Sequence, residues 1–495
     1  MTHLNLTAAL SIEQKREKLI PLKLAGHTYS VWAQIYDATE NTGQKKSENF
    51  LESLMLSRSS DGPSFKWLTQ NKTTIGHGDL MAELPTLSKK EAATVKAQLL
   101  EQVGQHPDLP LFHSLAFSTD GPESADKSTA EIKKRDSWEK WNFPELLIPK
   151  LLIVHDSNHP LIYKVIQLKW MDGPDLFLEH DGFTDIPIEV VKPSTEQLSF
   201  LDEDPLTSEH KRKTWNQQVG AVLSRLENEQ DGLSKVVLAR DKHMKADKPF
   251  DPLHLFYHLS QKHSRDNLTH FYLENSKCSF MGFSPENLLK QEQKALEMDA
   301  IAGTRVRSND PIKDQALGTE LLESDKDQRE HQEVITAIEN QCLSFGQLRQ
   351  GTQEVLKLSH VQHIKTPLVL ELNSSTPQVV FDLMQVLHPT PAVGGTPRDE
   401  AIKEIVKLEH FNRGLYAGAL GLQYNNTCQI VVGIRSLLVP SSEDVFLYAG
   451  AGIVEGSDCD QEWFELESKF ESFFPKDLLY NKRTHQTEQS DQENI

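Results

Sequence analysis

Three charged residues near the carboxyl end of the chain stand at helical spacing. In "QEWFELESK", residues 461–469, Glu462, Glu465 and Lys469 are three and four residues apart, so a helix would place them on one face. On a surface helix, Glu465 and Lys469 would form an ordinary ion pair worth about 0.2–0.5 kcal/mol. A helical wheel instead puts the three residues beside an apolar stripe that contains Trp463, Leu466, Phe470 and Phe473. The pattern predicts a boundary position, from which the carboxylates could bind a metal ion.

Glu330 is a second candidate metal ligand. It lies in "SDKDQREHQEVITAIENQ", residues 324–341, where Val334 and Ile338 continue its line along a predicted helix. Glu330 therefore faces the core side, and buried carboxylates occur mainly when they are paired or bind a metal. Carboxylates from two helices would suit Mg²⁺, although a single ExxE pattern is also typical of solvated helices.

Two basic residues lie in strand patterns that are apolar on both faces. Lys235 opens "KVVLAR", so it either reaches solvent from the strand end or is desolvated, with a lowered pKa that suits a general base. Arg435 lies within "QIVVGIRSLLV", which we predict to be one strand. A buried guanidinium needs an anion, and either a protein carboxylate or a substrate carboxylate could supply it.

Two glycine-rich loops could bring backbone N–H groups close to an anion. "YAGAGIVEGS" contains Gly450, Gly452 and Gly456, and "PAVGGTPR" places Gly394 and Gly395 before a predicted helix start. Ordinary tight turns explain either loop equally well.

The elements that would position these residues predict an α+β fold. Long strand patterns dominate from residue 235 onward, with helices predicted near 208–229, 328–345, 398–410 and 460–473, and without regular βαβ alternation. Residues 1–205 alternate shorter apolar runs with polar stretches, including a predicted solvated loop at 118–137. Residues 476–495 are polar and predicted to form a disordered tail.

Composition argues against several classes of protein. The net charge is −20, from 72 acidic and 52 basic residues, so we expect no nucleic-acid partner. The four cysteines lack CxxC spacing, which indicates neither a zinc site nor a disulfide framework. No apolar stretch is long enough to span a membrane, and no coiled-coil heptad is present. We therefore expect a cytoplasmic monomer.

A series of ordered segments between residues 210 and 473 resembles the chorismate-utilising enzymes, and among them the isochorismate synthases. The segments are "KVVLAR", "GFSPE", "AIAGTR", "SDKDQREH", "VQHIKT", "LHPTPAVGGTPR", "RGLYAGALG", "VGIRS", "YAGAGIVEGS" and "EWFELESK". The resemblance implies a single large α+β domain with two stacked antiparallel β-sheets flanked by helices, as in anthranilate synthase component I. Residues 1–205 would be a divergent N-terminal half of that domain, and residues 206–475 its chorismate-binding catalytic region.

The resemblance also implies roles for individual residues. Lys235 matches the general base that activates water, and Glu286 of "SPE" matches the general acid that protonates the leaving hydroxyl. The residues that match Mg²⁺ ligands are Glu330, Glu465 and Glu462, with Glu465 favoured over Glu462 as the direct ligand. The residues that match substrate-binding groups are Gly303, Thr304, Tyr416, Arg435, Gly452 and Lys469.

The activity implied is that of a Mg²⁺-dependent isomerase that converts chorismate to isochorismate, with water adding at C2 and the C4 hydroxyl leaving. Lys235, together with Ala302 in "AIAGT", argues against the ammonia-using anthranilate and aminodeoxychorismate synthases. A salicylate synthase, which goes on to eliminate pyruvate, stays open as an alternative. So does a divalent-cation-dependent interaction module without chemistry. The product could feed menaquinone, siderophore or salicylate synthesis.

Overall fold

The computed structural model describes the greater part of the chain, in separate ranges. These are residues 2–3, 10–24, 27–40, 50–59, 62–79, 98, 110–117, 137–141, 143–144, 146–158, 162–171, 188–191, 198–202, 205–227, 232–275, 278–292, 295–308, 310–357, 361–373, 377–424, 427–474 and 478–480. The predicted solvated loop at 118–137 lies outside these ranges, apart from residue 137. The predicted tail lies outside them from residue 481 onward.

The helices and strands account for most of the described residues. The helices are α1 (Phe50–Met55), α2 (Pro205–Leu226), α3 (Pro252–Lys262), α4 (Pro311–Glu323), α5 (Asp325–Cys342), α6 (Pro377–Leu387), α7 (Arg398–Leu408) and α8 (Cys459–Phe473). The strands are β1 (Thr2–His3), β2 (Leu10–Leu24), β3 (His27–Glu40), β4 (Ser57–Ser59), β5 (Ser64–Thr69), β6 (Lys72–His77), β7 (Leu111–Leu115), β8 (Leu146–Leu147), β9 (Leu151–Asp156), β10 (Ile162–Met171), β11 (Ile188–Val190), β12 (Phe200–Leu201), β13 (Lys235–Ala246), β14 (Thr269–Glu274), β15 (Ser279–Ser284), β16 (Asn287–Glu292), β17 (Ala295–Val306), β18 (Gly346–Gln350), β19 (Glu354–Lys357), β20 (Val361–Leu372), β21 (Gly395–Thr396), β22 (Ala419–Tyr424), β23 (Thr427–Val432), β24 (Ser436–Val439), β25 (Asp444–Val454) and β26 (Leu479–Tyr480).

Two large sheets organise the molecule. The first sheet has the order β2-β3-β10-β9-β6-β5-β14-β15-β24-β25-β13-β12-β26, and β21 pairs with β13 beside that path. The second sheet has the order β18-β20-β17-β16-β23-β22-β7-β8, and β19 pairs with β20. Strands from both sides of residue 205 take part in both sheets. A small third sheet joins β1, β11 and β4.

The two large sheets pack face to face through one apolar core. Phe65 on β5 stacks on Phe112 on β7, with ring centroids 4.6 Å apart. Trp67 on β5 donates a hydrogen bond from Nε1 to Oε1 of Gln429 on β23, at 3.1 Å. Pairing in the large sheets is antiparallel, apart from the parallel contact between β12 and β26. The predicted α+β fold with two stacked antiparallel sheets is confirmed.

One predicted strand is in fact two. "QIVVGIRSLLV" divides into β23 in the second sheet and β24 in the first, and Arg435 lies between them with φ 49°. Both strands are buried, so the apolar pattern continues across the crossing and hides it. Gly433 marks the site, because a Cβ there would lie 2.4 Å from the carbonyl oxygen of Leu415.

The predicted helices are present, with shifted ends. Helix α5 begins at Asp325, where the side chain of Ser324 accepts a hydrogen bond from the N–H of Asp327 at 3.3 Å and caps the helix. The predicted tail is wrong at its start, because Leu479 and Tyr480 pair with β12.

Candidate active site

A cavity of about 110 Å³ lies between the two large sheets and brings most of the predicted site residues together. Those that line it are Glu286, Gly303, Glu330, Tyr416, Arg435, Gly452, Glu465 and Lys469. Lys235 lies behind this lining, one hydrogen bond away through Glu330. Glu462 is also set back from it, and the side chain of Thr304 lies outside the described residues.

Lys235 is the first residue of β13, and its side chain is only 2% exposed. Its Nζ lies 2.9 Å from Oε1 of Glu330 on α5. The opposite strand leaves room for it, since a Cβ on Gly452 would lie 2.9 Å from Cε of Lys235. Burial and the ion pair rule out the interpretation that Lys235 simply reaches solvent.

Glu330 is the carboxylate that shares this contact. Burial acts to raise the pKa of Glu330, but the charge and hydrogen bond of Lys235, with smaller contributions from Lys326 and Lys469, lower it below its ordinary value. Glu330 is therefore an anion that faces the cavity.

Glu286 follows β15, and two hydrogen bonds of its main-chain groups fix its position. Its N–H donates to Oγ of Ser284 at 3.2 Å, and its carbonyl oxygen accepts from the N–H of Val432 at 3.1 Å. Burial, reinforced by the negative charge of Asp299, raises the pKa of Glu286 to about 8, although Lys235 acts in the opposite direction. The carboxyl group is therefore protonated at neutral pH and able to donate a proton.

Helix α8 contributes one acid and one base to the cavity. Nζ of Lys469 lies 2.7 Å from Oε1 of Glu465 and donates to the carbonyl oxygen of Gly450 at 2.7 Å. The i,i+4 ion pair predicted from the sequence is thus present, but it lines a cavity instead of covering an outer surface.

Glu462 lies one helical turn before Glu465 and is buried. Its Oε1 accepts from Oγ of Ser457 at 2.8 Å and lies 3.7 Å from Nζ of Lys326. Burial and the charge of Glu465 raise its pKa to about 7. The negative charges of Glu462 and Glu465 repel each other, and a dication bound beside them would relieve this repulsion.

The part of the chain that the structure describes contains no preformed metal site, that is, no group of three or more Cys, His, Asp or Glu side chains that could hold a metal ion. Mg²⁺ commonly takes only one or two carboxylates and completes its shell with water and substrate oxygens, so Glu330 and Glu465 remain a chemically suitable pair.

Arg435 supplies a buried cation to the cavity. Its guanidinium donates to Oγ of Ser472 at 3.1 Å and to Nε2 of His363 at 3.3 Å. Among the described residues, no carboxylate lies within ion-pair distance of it. Burial lowers the pKa of Arg435 to about 10, so the group stays charged at neutral pH. This favours the substrate carboxylate over a protein carboxylate as its anion.

His363 was missed as a site residue, although its segment "VQHIKT" is one of the resembling motifs. Its Nδ1 lies 3.1 Å from the carbonyl oxygen of Gly303, so Nδ1 carries the proton and Nε2 accepts from Arg435. Burial, and then the charge of Arg435, lowers its pKa to about 3. His363 is a neutral group that orients the guanidinium.

Tyr416 lines the cavity beside the glycines of β25. Its ring stacks on Tyr448 with centroids 5.2 Å apart, and a Cβ on Gly450 would lie 2.8 Å from its hydroxyl. Burial raises the pKa of Tyr416, so the hydroxyl keeps its proton and can donate to an anion.

The glycine-rich loops differ in what they approach. Gly450 and Gly452 line the cavity. The carbonyl oxygen of Gly394 accepts from the N–H of Val237 at 2.9 Å, and the N–H of Gly394 donates to Thr390. The prediction of an anion site at "PAVGGTPR" is therefore wrong at Gly394, because this backbone is used to bind β13.

A buried ion pair that sequence reasoning missed fixes β13 beside the cavity. Arg413 is fully buried, pairs with Glu409 and donates to the carbonyl oxygens of Val237 at 2.7 Å and Val393 at 2.8 Å. Oε1 of Glu409 accepts from the N–H of Ala239 at 2.8 Å. The four-residue spacing in "EHFNR" was the available signal.

The chain matches a known protein family over most of its length. The sequence profile of the family described as "Chorismate binding enzyme" matches residues 111–476. The chain is 33% identical over 267 residues to the isochorismate synthase, chloroplastic, of Catharanthus roseus, an alignment that covers 53% of this chain and 45% of that protein. It is 28% identical over 345 residues to isochorismate synthase MenF of Bacillus subtilis, covering 68% of this chain and 70% of that protein. The chain thus spans about half the length of some of the curated relatives that it matches.

Solved structures extend the similarity to the rest of the fold. The structure of MenF, the menaquinone-specific isochorismate synthase from Escherichia coli, superposes with a TM-score of 0.67 at 25% identity, covering 92% of this chain and 95% of that one. Anthranilate synthase component I from Streptococcus pneumoniae superposes with a TM-score of 0.53 at 17% identity, which is a likeness of fold alone.

Proposed function

Since the chain belongs to the chorismate-binding enzyme family, we propose that it is an isochorismate synthase, an isomerase that converts chorismate to isochorismate. The observation that carries the proposal is the placement of two buried groups, with Glu286 in the lining of the cavity and Lys235 directly behind that lining. Nζ of Lys235 lies 2.9 Å from Oε1 of Glu330, and in its neutral form this amine would accept a proton from water. Glu286 is a carboxyl group that is protonated at neutral pH. The isochorismate synthases among the relatives support the same assignment.

Binding of the substrate follows from charge. Chorismate is a dianion, and Arg435 and Lys469 are cations that line the cavity. The hydroxyl of Tyr416 and the backbone at Gly450 and Gly452 offer neutral contacts on the same side. The net negative charge of the protein does not oppose binding, because these local groups determine the field inside the cavity.

The chemistry needs one base and one acid. Lys235, in its neutral form, takes a proton from the water that adds at C2, and Glu286 gives its proton to the C4 hydroxyl, which leaves as water. One water enters and one leaves, so substrate and product are isomers. Placing both groups at one substrate holds the reacting atoms in position and lowers the entropic cost of the reaction.

The family's divalent metal fits the carboxylates on α5 and α8. Glu330 and Glu465 would hold Mg²⁺ from the cavity side, with Glu462 behind them. When bound, Mg²⁺ would neutralise the ring carboxylate of the substrate and orient it. Oε1 of Glu330 lies 2.9 Å from Nζ of Lys235, and Oε1 of Glu465 lies 2.7 Å from Nζ of Lys469.

A product assay tests the proposal. The purified protein is incubated with chorismate and Mg²⁺, and the products are separated by chromatography. Isochorismate is expected. Salicylate together with pyruvate would make the protein a salicylate synthase, and unchanged chorismate would favour a cation-dependent interaction module.

We also propose that the protein works as a cytoplasmic monomer. All four cysteines are free, in keeping with a reducing compartment. In the described ranges, no helix is both long and apolar enough to cross a membrane. Light scattering coupled to gel filtration would test the monomer, and a mass near 56.1 kDa is expected.

A further inference from the structure

A second cavity, of about 650 Å³, continues from the active site along one face of β17. Side chains on a strand alternate between its two faces, so Glu297, Asp299 and Ile301 share one face, before a β-bulge at Gly303 interrupts the alternation. Glu297 and Asp299 line the second cavity, whereas Ile301 and Gly303 line the active site. The two cavities are therefore successive stretches of one surface.

The neighbouring strand repeats this arrangement. On β20, His363 lines the active site, and Lys365 and Pro367 line the second cavity. Pro285, the residue before Glu286, lines both cavities. The two cavities therefore meet next to Glu286. Asp299 and Lys365 lie on the side of the second cavity.

Asp299 is held rigidly at this boundary. Its side chain is 10% exposed, and its Oδ1 lies 3.0 Å from Nζ of Lys365. Its Oδ2 accepts from Nδ2 of Asn287, the residue after Glu286, at 3.3 Å. The Asp299 carboxylate therefore faces the second cavity and is close enough to Glu286 to act on it by charge.

The outer end of the second cavity opens to solvent. Gln70, Asn71 and Lys72 line it and are exposed. A water molecule occupies about 30 Å³ in the liquid, so the cavity has room for a continuous column of water.

The proposed reaction creates a need that this arrangement can meet. Glu286 loses one proton to the leaving hydroxyl in each turnover and must regain one before the next. It is buried, and the titratable or polar groups that act on it are Asp299, Lys235, Lys469 and the hydroxyl of Thr390. Of these, Asp299 is the one that lines the second cavity.

We propose that the second cavity and the Asp299–Lys365 pair form the route by which Glu286 regains its proton from water. The proton passes from water in the cavity to the Glu286 carboxylate, and the hydroxide left behind is neutralised by the proton that the base releases to solvent. Asp299 acts through Glu286 and is a positioning residue for this transfer. The proposal rests on the proposed function.

The first test separates proton return from the chemical step. Asp299→Asn keeps the size of the side chain and removes its charge, and kinetics are measured at pH 6, where Glu286 is still protonated. We expect steady-state turnover of chorismate to fall roughly tenfold, while a single turnover with enzyme in excess changes less than about twofold. Equal losses in both measurements, or no loss in either, would overturn the route.

Glu297→Gln is the matched control. Glu297 lies two residues away on the same strand face and lines the same cavity, but its side chain is 56% exposed. It should leave both rates unchanged. Lys365→Met is a second variant, in case Asp299→Asn folds poorly, and the same split between the two rates is expected because the Asp299 carboxylate loses its partner.

The second test does not depend on turnover. The infrared carbonyl band of protonated Glu286, assigned by its loss in Glu286→Gln, shifts when the protein is mixed with D₂O. Exchange should be slower in Asp299→Asn than in the native protein and unchanged in Glu297→Gln. An unchanged exchange rate in Asp299→Asn would refute the route even if the protein proves not to make isochorismate, whereas a failed product assay alone would refute only the proposed function.

Discussion

Lys66 and Lys235 are both fully buried lysines on strands of the first sheet, but their surroundings differ. Lys66 on β5 donates to the carbonyl oxygen of Ser57 at 2.5 Å and lies over the ring of Tyr272. Lys235 on β13 meets a carboxylate that lines a cavity. Burial, opposed by the charge of Glu274, lowers the pKa of Lys66 to about 7.

This comparison shows that a perturbed pKa does not by itself locate an active site. Lys66 is fully buried, donates to a backbone carbonyl oxygen and lines neither of the two cavities described above, so a substrate cannot approach it. Lys235, in contrast, pairs with Glu330, which faces a cavity. The same cavity is lined by the acid Glu286, two cations and glycine backbone. Access to a reacting atom distinguishes a catalytic lysine from a structural one.

The largest expected effect is that of Lys235→Ala. Removal of the proposed base should lower isochorismate formation by at least about a hundredfold. The measurement is kcat at saturating chorismate and Mg²⁺. Lys242→Ala is the control on the same strand, because Lys242 pairs with Asp202 instead of facing the cavity, and its activity should be normal. A near-normal rate in Lys235→Ala would remove it as the base.

Glu330→Gln tests the carboxylate that pairs with Lys235 and faces the cavity, a partner of a kind that Lys66 lacks. The Mg²⁺ concentration for half-maximal activity should rise by roughly tenfold or more, because a neutral amide is a poorer ligand. Titration of activity with Mg²⁺ measures it. Glu274→Gln, beside Lys66, removes a carboxylate of the other cluster and should leave the titration unchanged. An unaltered titration in Glu330→Gln would exclude it from the metal site.

The pH dependence of activity distinguishes the two buried acids. Burial raises the pKa of both Glu286 and Glu274, and that of Glu286 reaches about 8. Because Glu286 must be protonated to act as the acid, kcat/KM should fall about tenfold per pH unit above pH 8. Glu274→Gln should retain this alkaline limb. If kcat/KM of the native protein does not fall above pH 8, Glu286 is not the acid.

Gly452→Ala tests whether Lys235 needs the space opposite it. The new methyl group would lie 2.9 Å from Cε of Lys235 and 3.3 Å from Oε1 of Glu330, so the ion pair must shift. We expect kcat to fall on the order of tenfold, since a small misplacement of an acid–base group is costly. Gly220→Ala on α2, where a Cβ meets nothing within 4 Å, is the control. An unchanged kcat would show that Lys235 tolerates displacement.

The sequence predicted those parts of the site that depend on local periodicity. The apolar residues on both faces of "KVVLAR" predicted a buried strand at Lys235, and a helical wheel placed Glu465 and Lys469 beside the core. The α+β class followed from the same patterns. These predictions succeed because each depends on residues within one or two turns of each other.

Other parts depend on contacts between distant segments. The hydrogen bond between Arg435 and His363 joins residues 72 apart, and the pair of Asp299 and Lys365 spans two strands. The crossing at Arg435 was missed because both flanking strands are buried and the apolar pattern is continuous across them. Sheet order and cavity position follow from tertiary packing, which the local pattern of a single sequence does not contain.

Lys66→Met should have the smallest effect on activity, within about twofold of the native kcat, since a side chain far from the reacting atoms contributes to folding instead of to the transition state. Its consequence should be seen in the pH dependence of stability. The pKa of Lys66 is lowered in the folded state, so the unfolded chain binds this proton more tightly, and the free energy of unfolding rises with pH between about 7 and 10.5. Lys66→Met lacks this contribution. Its free energy of unfolding relative to that of the native protein should therefore be highest near pH 7 and should decline as pH rises to about 10.5. Urea denaturation across this pH range measures the difference. A parallel pH dependence in both proteins would mean that Lys66 titrates normally, and a large loss of kcat would mean that the two buried lysines are not as different as their surroundings indicate.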